Sequence, residues 1–314
     1  MRKNLHQNGK GGRKKGAGED RPITEEPFNP PVREGSETAG TLYVVATPIG
    51  NLEDITLRAI RILREVRLIA AEDTRRTRIL LAKYGISTPL TSLHDQNEAK
   101  KSGLLIARLL KGEDVAYVSD AGTPGISDPG YILVREAVSL GIRVAPVPGA
   151  SALIAALSVS GLPMDSFLFL GFLPSKSTRR RQLLTSLREE KRTLIFYESP
   201  HRLLAAMSDI AALLGDREVV VSREMTKIYE EFLRGPAGDV LKGLANTTIR
   251  GEVTLIVAGR SGEAPGCSDA EIIRRCEQLQ REGGEEPSRR DLAERIAQET
   301  GVSRRRIYRL LLFP

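Results

Sequence analysis

The chain has 314 residues, of which 40% are apolar and 28% charged, with a net charge of +7. That length holds roughly two domains with buried cores, and no apolar run approaches the roughly 20 residues that a membrane-spanning helix requires. The positive balance favours a polyanionic partner or an acidic small molecule, whereas 4% aromatics and no tryptophan argue against an extended stacking platform for single-stranded nucleic acid.

Residues 1–40 are rich in Gly, Pro, Lys, Arg and Glu and have little to bury, so they read as a disordered basic arm. Such an arm can tether nucleic acid or simply solubilise. From Thr41 the pattern alternates short apolar runs with helical periodicity, as in α/β proteins. Strands are expected at 41–47, 67–71, 115–119 and 142–147, and helices near 56–66, 74–84, 98–111 and 129–140. These make a first lobe, 41–162, ending in an apolar helix at 151–160. A second lobe, 163–260, has strands at 166–170, 193–197, 218–222, 229–234 and 253–258, with helices near 176–190 and 200–214. Its later strands follow one another with little helix between them, which predicts a mixed sheet.

A polar linker follows Gly259, then a helical unit over 268–314. Helices at 288–298 and 303–312 flank Glu299-Thr300-Gly301-Val302, with Ser288 and Ser303 as caps, in the pattern of a helix-turn-helix. Arg304, Arg305, Arg306 and Arg309 fall on the second helix, where cations would meet RNA. The same geometry also serves protein-binding modules.

The loop Ser119-Asp120-Ala121-Gly122-Thr123-Pro124-Gly125-Ile126-Ser127-Asp128-Pro129-Gly130 follows an apolar strand. Its glycines let backbone groups approach a ligand at angles that a Cβ forbids, and its prolines fix φ in advance. Val147-Pro148-Gly149-Ala150-Ser151-Ala152 and Thr47-Pro48-Ile49-Gly50-Asn51-Leu52 form similar turns at strand ends, where ligands bind in open α/β sheets. Neither contains G-x-G-x-x-G, which disfavours a nicotinamide-type site. Ala71-Glu72-Asp73-Thr74-Arg75 ends another strand and serves equally as a helix start or as part of the site. His6, His94 and His201 show no metal-ligand spacing with each other or with Cys267 and Cys276, so no metal is expected. Two cysteines and no secretory signal point to a reducing cytoplasm.

Taken in order with Gly171-Phe172-Leu173-Pro174, Tyr197-Glu198-Ser199-Pro200-His201-Arg202 and Ser222-Arg223-Glu224-Met225-Thr226-Lys227, these motifs resemble the ribosomal-RNA-modifying branch of the tetrapyrrole methylase family. The resemblance runs from about Thr41 to Gly259, with a terminal helix-turn-helix similar to that of many members. It implies a two-lobed α/β fold with mixed sheets. It also implies S-adenosylmethionine-dependent 2′-O-methylation of a cytidine in 16S ribosomal RNA of the small subunit, near the decoding centre, by a homodimer. Neither membrane nor DNA is an expected partner. Carried over by motif, Pro48, Ser119, Asp120, Ala121, Gly122, Ser127, Ser151 and Ala152 would contact the cofactor from the first lobe. Tyr197, Glu198, Arg223, Glu252 and Val253 would do so from the second.

Methyl transfer to a ribose hydroxyl needs in-line alignment and help in removing a proton. The nominees are Asp73 or Glu72 as base and Lys227 or Arg75 as electrostatic helper, each of which also suits a structural ion pair. Two rival functions remain at this stage. One is a tetrapyrrole C-methyltransferase, to which the arginine-bearing C-terminal unit is poorly suited; the other is a non-catalytic RNA-binding assembly factor.

Overall fold

A computed structural model describes residues 39–245, 249–260, 269–282, 288–300, 302 and 304–312. All but the last two residues of the expected basic arm lie outside that range, as do His6, Cys267, Gly301 and Ser303.

The first sheet contains β1 (Leu42–Val45), β2 (Leu68–Ala71), β3 (Leu90–Ser92), β4 (Val115–Val118) and β5 (Val144–Val147), in the order β3-β2-β4-β1-β5. Every pairing is parallel, with Val45 level with both Val118 and Val147. The crossovers are α1 (Leu57–Glu65), α2 (Thr74–Lys83), α3 (Glu98–Leu110) and α4 (Tyr131–Ser139). Successive strand side chains point to opposite faces. Ala116 and Val118 therefore pack with Ile62, Leu63 and Leu80 on one side, and Val115 and Tyr117 with Leu105, Leu109 and Leu133 on the other. Burial on both faces explains why these strands read as continuous apolar runs.

Helix α5 (Ala152–Ser160) leads to the second sheet: β6 (Phe167–Phe172), β7 (Thr193–Glu198), β8 (Glu218–Arg223), β9 (Glu231–Pro236) and β10 (Val253–Val257). Its order is β6-β7-β10-β8-β9, parallel only between β6 and β7, so the mixed character lies in this sheet. One face packs on α6 (Ser177–Ser186), α7 (Pro200–Leu214) and α8 (Ala237–Ala245) through residues such as Leu184, Met207 and Val240. The other face packs on α5: Ala156 and Leu157 meet Ile195, Val220 and Ile256, joined by Ile49 and Met225. Ile154 and Val159 of the same helix remain exposed, so its apolar character extends beyond the packed face.

Two elements depart from expectation. β3 is a three-residue edge strand, too short and too half-exposed to show a period. α8 separates β9 from β10, where little helix was expected; Gly238 and Gly243 dilute its pattern, although Val240 and Leu244 are buried. At the C-terminal end, α9 (Asp269–Glu282), α10 (Arg289–Thr300) and α11 (Arg304–Leu312) share a core of Ile272, Cys276, Leu292, Ile296, Val302 and Ile307. Ser288 caps α10 by accepting the Asp291 N–H at 3.2 Å. Among the described residues no helix is long and apolar enough to cross a membrane.

Candidate active site

Strands β1 and β4 are neighbours whose chains leave the sheet in opposite directions, so their carboxyl ends flank a crevice. The two loops are stitched together there. The Thr47 N–H donates to the Gly122 carbonyl at 2.9 Å and the Gly122 N–H returns to Thr47 at 3.0 Å. The Thr47 hydroxyl donates to the Ser119 carbonyl, and the Thr123 hydroxyl to the Ala150 carbonyl. Gly122, Gly125 and the non-glycine Ser127 all have left-handed φ. For a non-glycine residue such as Ser127 that conformation is uncommon.

These loops form one wall of a cavity of about 340 Å³, within the usual size range of small-molecule sites. From the first sheet come Ile49, Ala121, Gly122, Thr123, Ile126, Ser127, Asp128, Ser151 and Ala152. From the second come Phe172, Tyr197, Glu198, Ser199, Pro200 and Gly251 through Thr254. Tyr197 stands edge-on to Phe169 and Phe172, with ring centroids 5.0 and 5.7 Å away. Glu198 Oε1 accepts the Ser199 N–H and pairs with Arg202, while Oε2 is buried without a protein partner. A second cavity of about 320 Å³ adjoins the first, sharing Ile49, Ala121 and Glu252. It adds Pro48, Gly50, Arg76, Ser119, Asp120 and Lys227.

A family model described as Tetrapyrrole (Corrin/Porphyrin) Methylases matches residues 41–241, which take in nearly all of this architecture. The chain belongs to the tetrapyrrole methylase family. This methylase is 52% identical over 241 residues to a Pseudomonas aeruginosa protein named ribosomal RNA small subunit methyltransferase I, covering 76% of this chain and 86% of that one. A Synechocystis protein of the same name is 46% identical over 275 residues, covering 87% and 98% of the two chains. In fold it resembles uroporphyrin-III-C-methyltransferase from Thermus thermophilus, with a TM-score of 0.51 at 22% identity, covering 70% and 94%.

Among the expected cofactor contacts of the methylase, Ala121, Gly122, Ser127, Ser151, Ala152, Tyr197, Glu198, Glu252 and Val253 converge on the first cavity. Pro48, Ser119 and Asp120 line the second. Arg223 lines neither. It lies level with Val253 and Glu231 on neighbouring strands and pairs with Glu231 at 2.5 Å.

The nominated catalytic residues separate in the same way. Lys227 lines the second cavity, with Nζ 2.8 Å from Glu224 Oε1 and 3.4 Å from Glu252 Oε2. Partial burial works against its charge, but the two carboxylates outweigh it and raise its proton affinity, so it stands as a fixed cation. Glu72, Asp73 and Arg75 lie on neither cavity wall. Asp73 caps α2 by accepting the Arg75 N–H at 2.8 Å and grips the Arg75 guanidinium with both oxygens. That guanidinium holds the Asp73 carboxyl far below the usual carboxylate range. Glu72 sits behind Asp120, whose N–H donates to it at 3.4 Å. Burial, then the charge of Asp120, raises its proton affinity.

Asp128 and Phe172 also line the first cavity, although in the sequence they stand out only as parts of longer motifs. Burial, followed by the charge of Glu72, pushes Asp128 up to about 7 despite a hydrogen bond from Ser119. Its place in the glycine-rich loop is a usable signal in the sequence; the rise in its proton affinity is not. On α11, Arg304 is exposed and 3.4 Å from Glu294, Arg306 is tied to Asp269, and Arg309 is exposed. The Arg305 side chain lies outside the described set.

Proposed function

We propose that this methyltransferase uses S-adenosylmethionine to methylate the ribose 2′-oxygen of a cytidine in 16S ribosomal RNA of the small subunit. The supporting observation is the pair of cavities meeting at Ile49, Ala121 and Glu252. One is walled by both sheets and the other is flanked by Arg76 and Lys227. The substrate class follows the names of relatives at 46 to 52% identity, whereas the uroporphyrin enzyme shares only the fold.

The first cavity suits the proposed donor chemically. The unpartnered Glu198 Oε2 offers a buried anion to a cationic group, and Ile49, Ala152, Phe172 and Val253 offer apolar surface. When bound, S-adenosylmethionine supplies an electrophilic methyl group on a sulfonium. The protein's part is alignment: Ala121, Gly122 and Ser127 hold one side and Tyr197 through Pro200 the other, so that a hydroxyl entering by the second cavity meets the methyl in line. Lys227 stabilises negative charge developing on that oxygen. Neither nominated base lines a cavity, so a proton would reach either through water. We favour Glu72, which sits directly behind the cavity-lining Asp120 and has a raised proton affinity, over Asp73, which is committed to its cap and to Arg75.

We further propose that the protein is a cytoplasmic homodimer in which each chain contributes 41–162 and 163–260 as its two lobes. In this scheme 268–314 contacts RNA through Arg304 and Arg309, and the 1–40 arm adds non-specific attraction. The test is incubation with methyl-labelled S-adenosylmethionine and 30S subunits, followed by mapping of the modified ribose. Label on a single cytidine 2′-oxygen is expected. Label on a uroporphyrinogen alone, or donor binding without transfer, would overturn the proposal.

A further inference from the structure

The segment between β8 and β9 carries a feature that the cofactor cavity does not use. Its backbone is rigidly folded: Glu224 and Thr226 have φ of 47° and 65°. The Thr226 N–H donates to Glu230 Oε1 at 2.7 Å, and the Lys227 N–H to the Glu224 carbonyl at 3.0 Å. The Thr226 hydroxyl accepts the Asn51 N–H at 2.9 Å, tying the turn to the loop after β1. From this frame Lys227 turns inward onto the second cavity. The next two residues turn outward, Ile228 being 94% exposed and Tyr229 80% exposed.

Two apolar side chains held on a rigid turn lose hydration when they find a partner and little chain entropy in doing so. The choice of partner follows from their neighbours. The cavity beside them is lined by Arg76 and Lys227, and Arg75, whose side chain is 86% exposed, stands on the same helix as Arg76. Cations beside an aromatic tip suit phosphates and bases together. Sequence-specific recognition of RNA targets single-stranded segments whose splayed-out bases stack on aromatic side chains, and a target nucleotide turned toward a recessed cavity leaves the faces of its neighbours open.

We propose that Tyr229, supported by Ile228, stacks on a base flanking the target nucleotide in a single-stranded RNA segment, holding open the gap left when that nucleotide turns toward the second cavity. This rests on the RNA-methylating function proposed above. An extended aromatic platform is unnecessary, since one ring beside the entry suffices.

The test compares wild-type protein with Tyr229→Ala, Tyr229→Phe and Ile228→Ala in steady-state methylation of 30S subunits. Donor affinity is followed by calorimetry and oligomeric state by sedimentation. For Tyr229→Ala we expect KM for subunits to rise about tenfold, with donor affinity and oligomeric state unchanged; Tyr229→Phe should stay near wild type, because the π-face is retained. Wild-type activity with an undiminished Tyr229→Ala would overturn this inference alone. A shift in oligomeric state would also overturn it, assigning the tip to a second copy of the chain. Wild-type protein that binds donor but leaves 30S subunits unmodified would instead remove the function on which the inference rests.

Discussion

Gly50, on the loop after β1, lies so close to Lys227 that a Cβ at position 50 would sit 2.6 Å from Lys227 Cγ, 2.7 Å from Thr226 Oγ1 and 2.8 Å from the Met225 carbonyl oxygen. The contact joins the first sheet's loop to the second sheet's turn at the mouth of the second cavity. Because one of the three atoms is backbone, Gly50→Ala cannot be absorbed by a rotamer change alone. It should destabilise the protein by about 1–3 kcal/mol and lower single-turnover methylation more than donor affinity, by displacing Lys227. Thermal unfolding and rapid-quench kinetics check the two effects.

Asp73 and Glu72 are adjacent in sequence, but their surroundings shift their proton affinities in opposite directions. Asparagine caps helices as well as aspartate does, and the Arg75 partner is exposed, so Asp73→Asn should keep methyl transfer within a few-fold of wild type. Glu72→Gln should lower it by about 10² or more if Glu72 is the base. Single-turnover rates between pH 6 and 9 separate the variants, and equal losses would remove Glu72 from that role.

Asp128 couples the cavity to pH. Its proton affinity in the folded state, raised to about 7 mainly by burial, exceeds the ordinary value of 3.8. Its contribution to stability is therefore fully present below about 4 and is lost as pH rises through about 7. Asp128→Asn should make the protein more stable than wild type above that window, by on the order of 1 kcal/mol once solvent screening of this part-exposed group is allowed for. The difference should vanish near pH 4. Melting temperatures of both proteins across pH 4 to 8 provide the measurement, and a constant difference would remove Asp128 as its source.

Helix α4 is capped from another helix. Its N-cap is Gly130, which has no side chain to offer, and Glu98 Oε1 on α3 accepts the N–H groups of Gly130 and Ile132, both at 2.9 Å. Glu98→Ala leaves these donors unmet and should cost about 2–4 kcal/mol, while Glu98→Gln should lose less. Because Gly130 ends the 119–130 loop, donor affinity should fall in parallel. Chemical denaturation and calorimetry on the two variants test both statements.

The glycine-rich loops at 119–130 and 147–152 were legible as ligand loops because their signal is local: glycine, proline and short polar residues directly after an apolar strand. Five of the nine expected cofactor contacts that line the first cavity, Ala121, Gly122, Ser127, Ser151 and Ala152, come from these two loops. Arg223 shows where the signal ended. Strand β8 is buried on both faces, Val219 and Val221 against α6 to α8 and Val220 against α5. An unbroken apolar run does not tell which face carries its last residue. Phe172 ends β6 beside Tyr197, a relationship set by a register shift between Phe169 and Phe172 that no local pattern announces.

By itself the sequence determined the order of strands and helices apart from β3 and α8, the positions of the preformed turns and the family, since each is written in contiguous residues. Only the tertiary structure decided which carboxylate loses proton affinity, which gains it and which cation faces a cavity. Glu72 meets Asp120 across 48 positions and Gly50 meets Lys227 across the two sheets. Burial and neighbouring charge set proton affinity, and both exist only once distant segments have packed together.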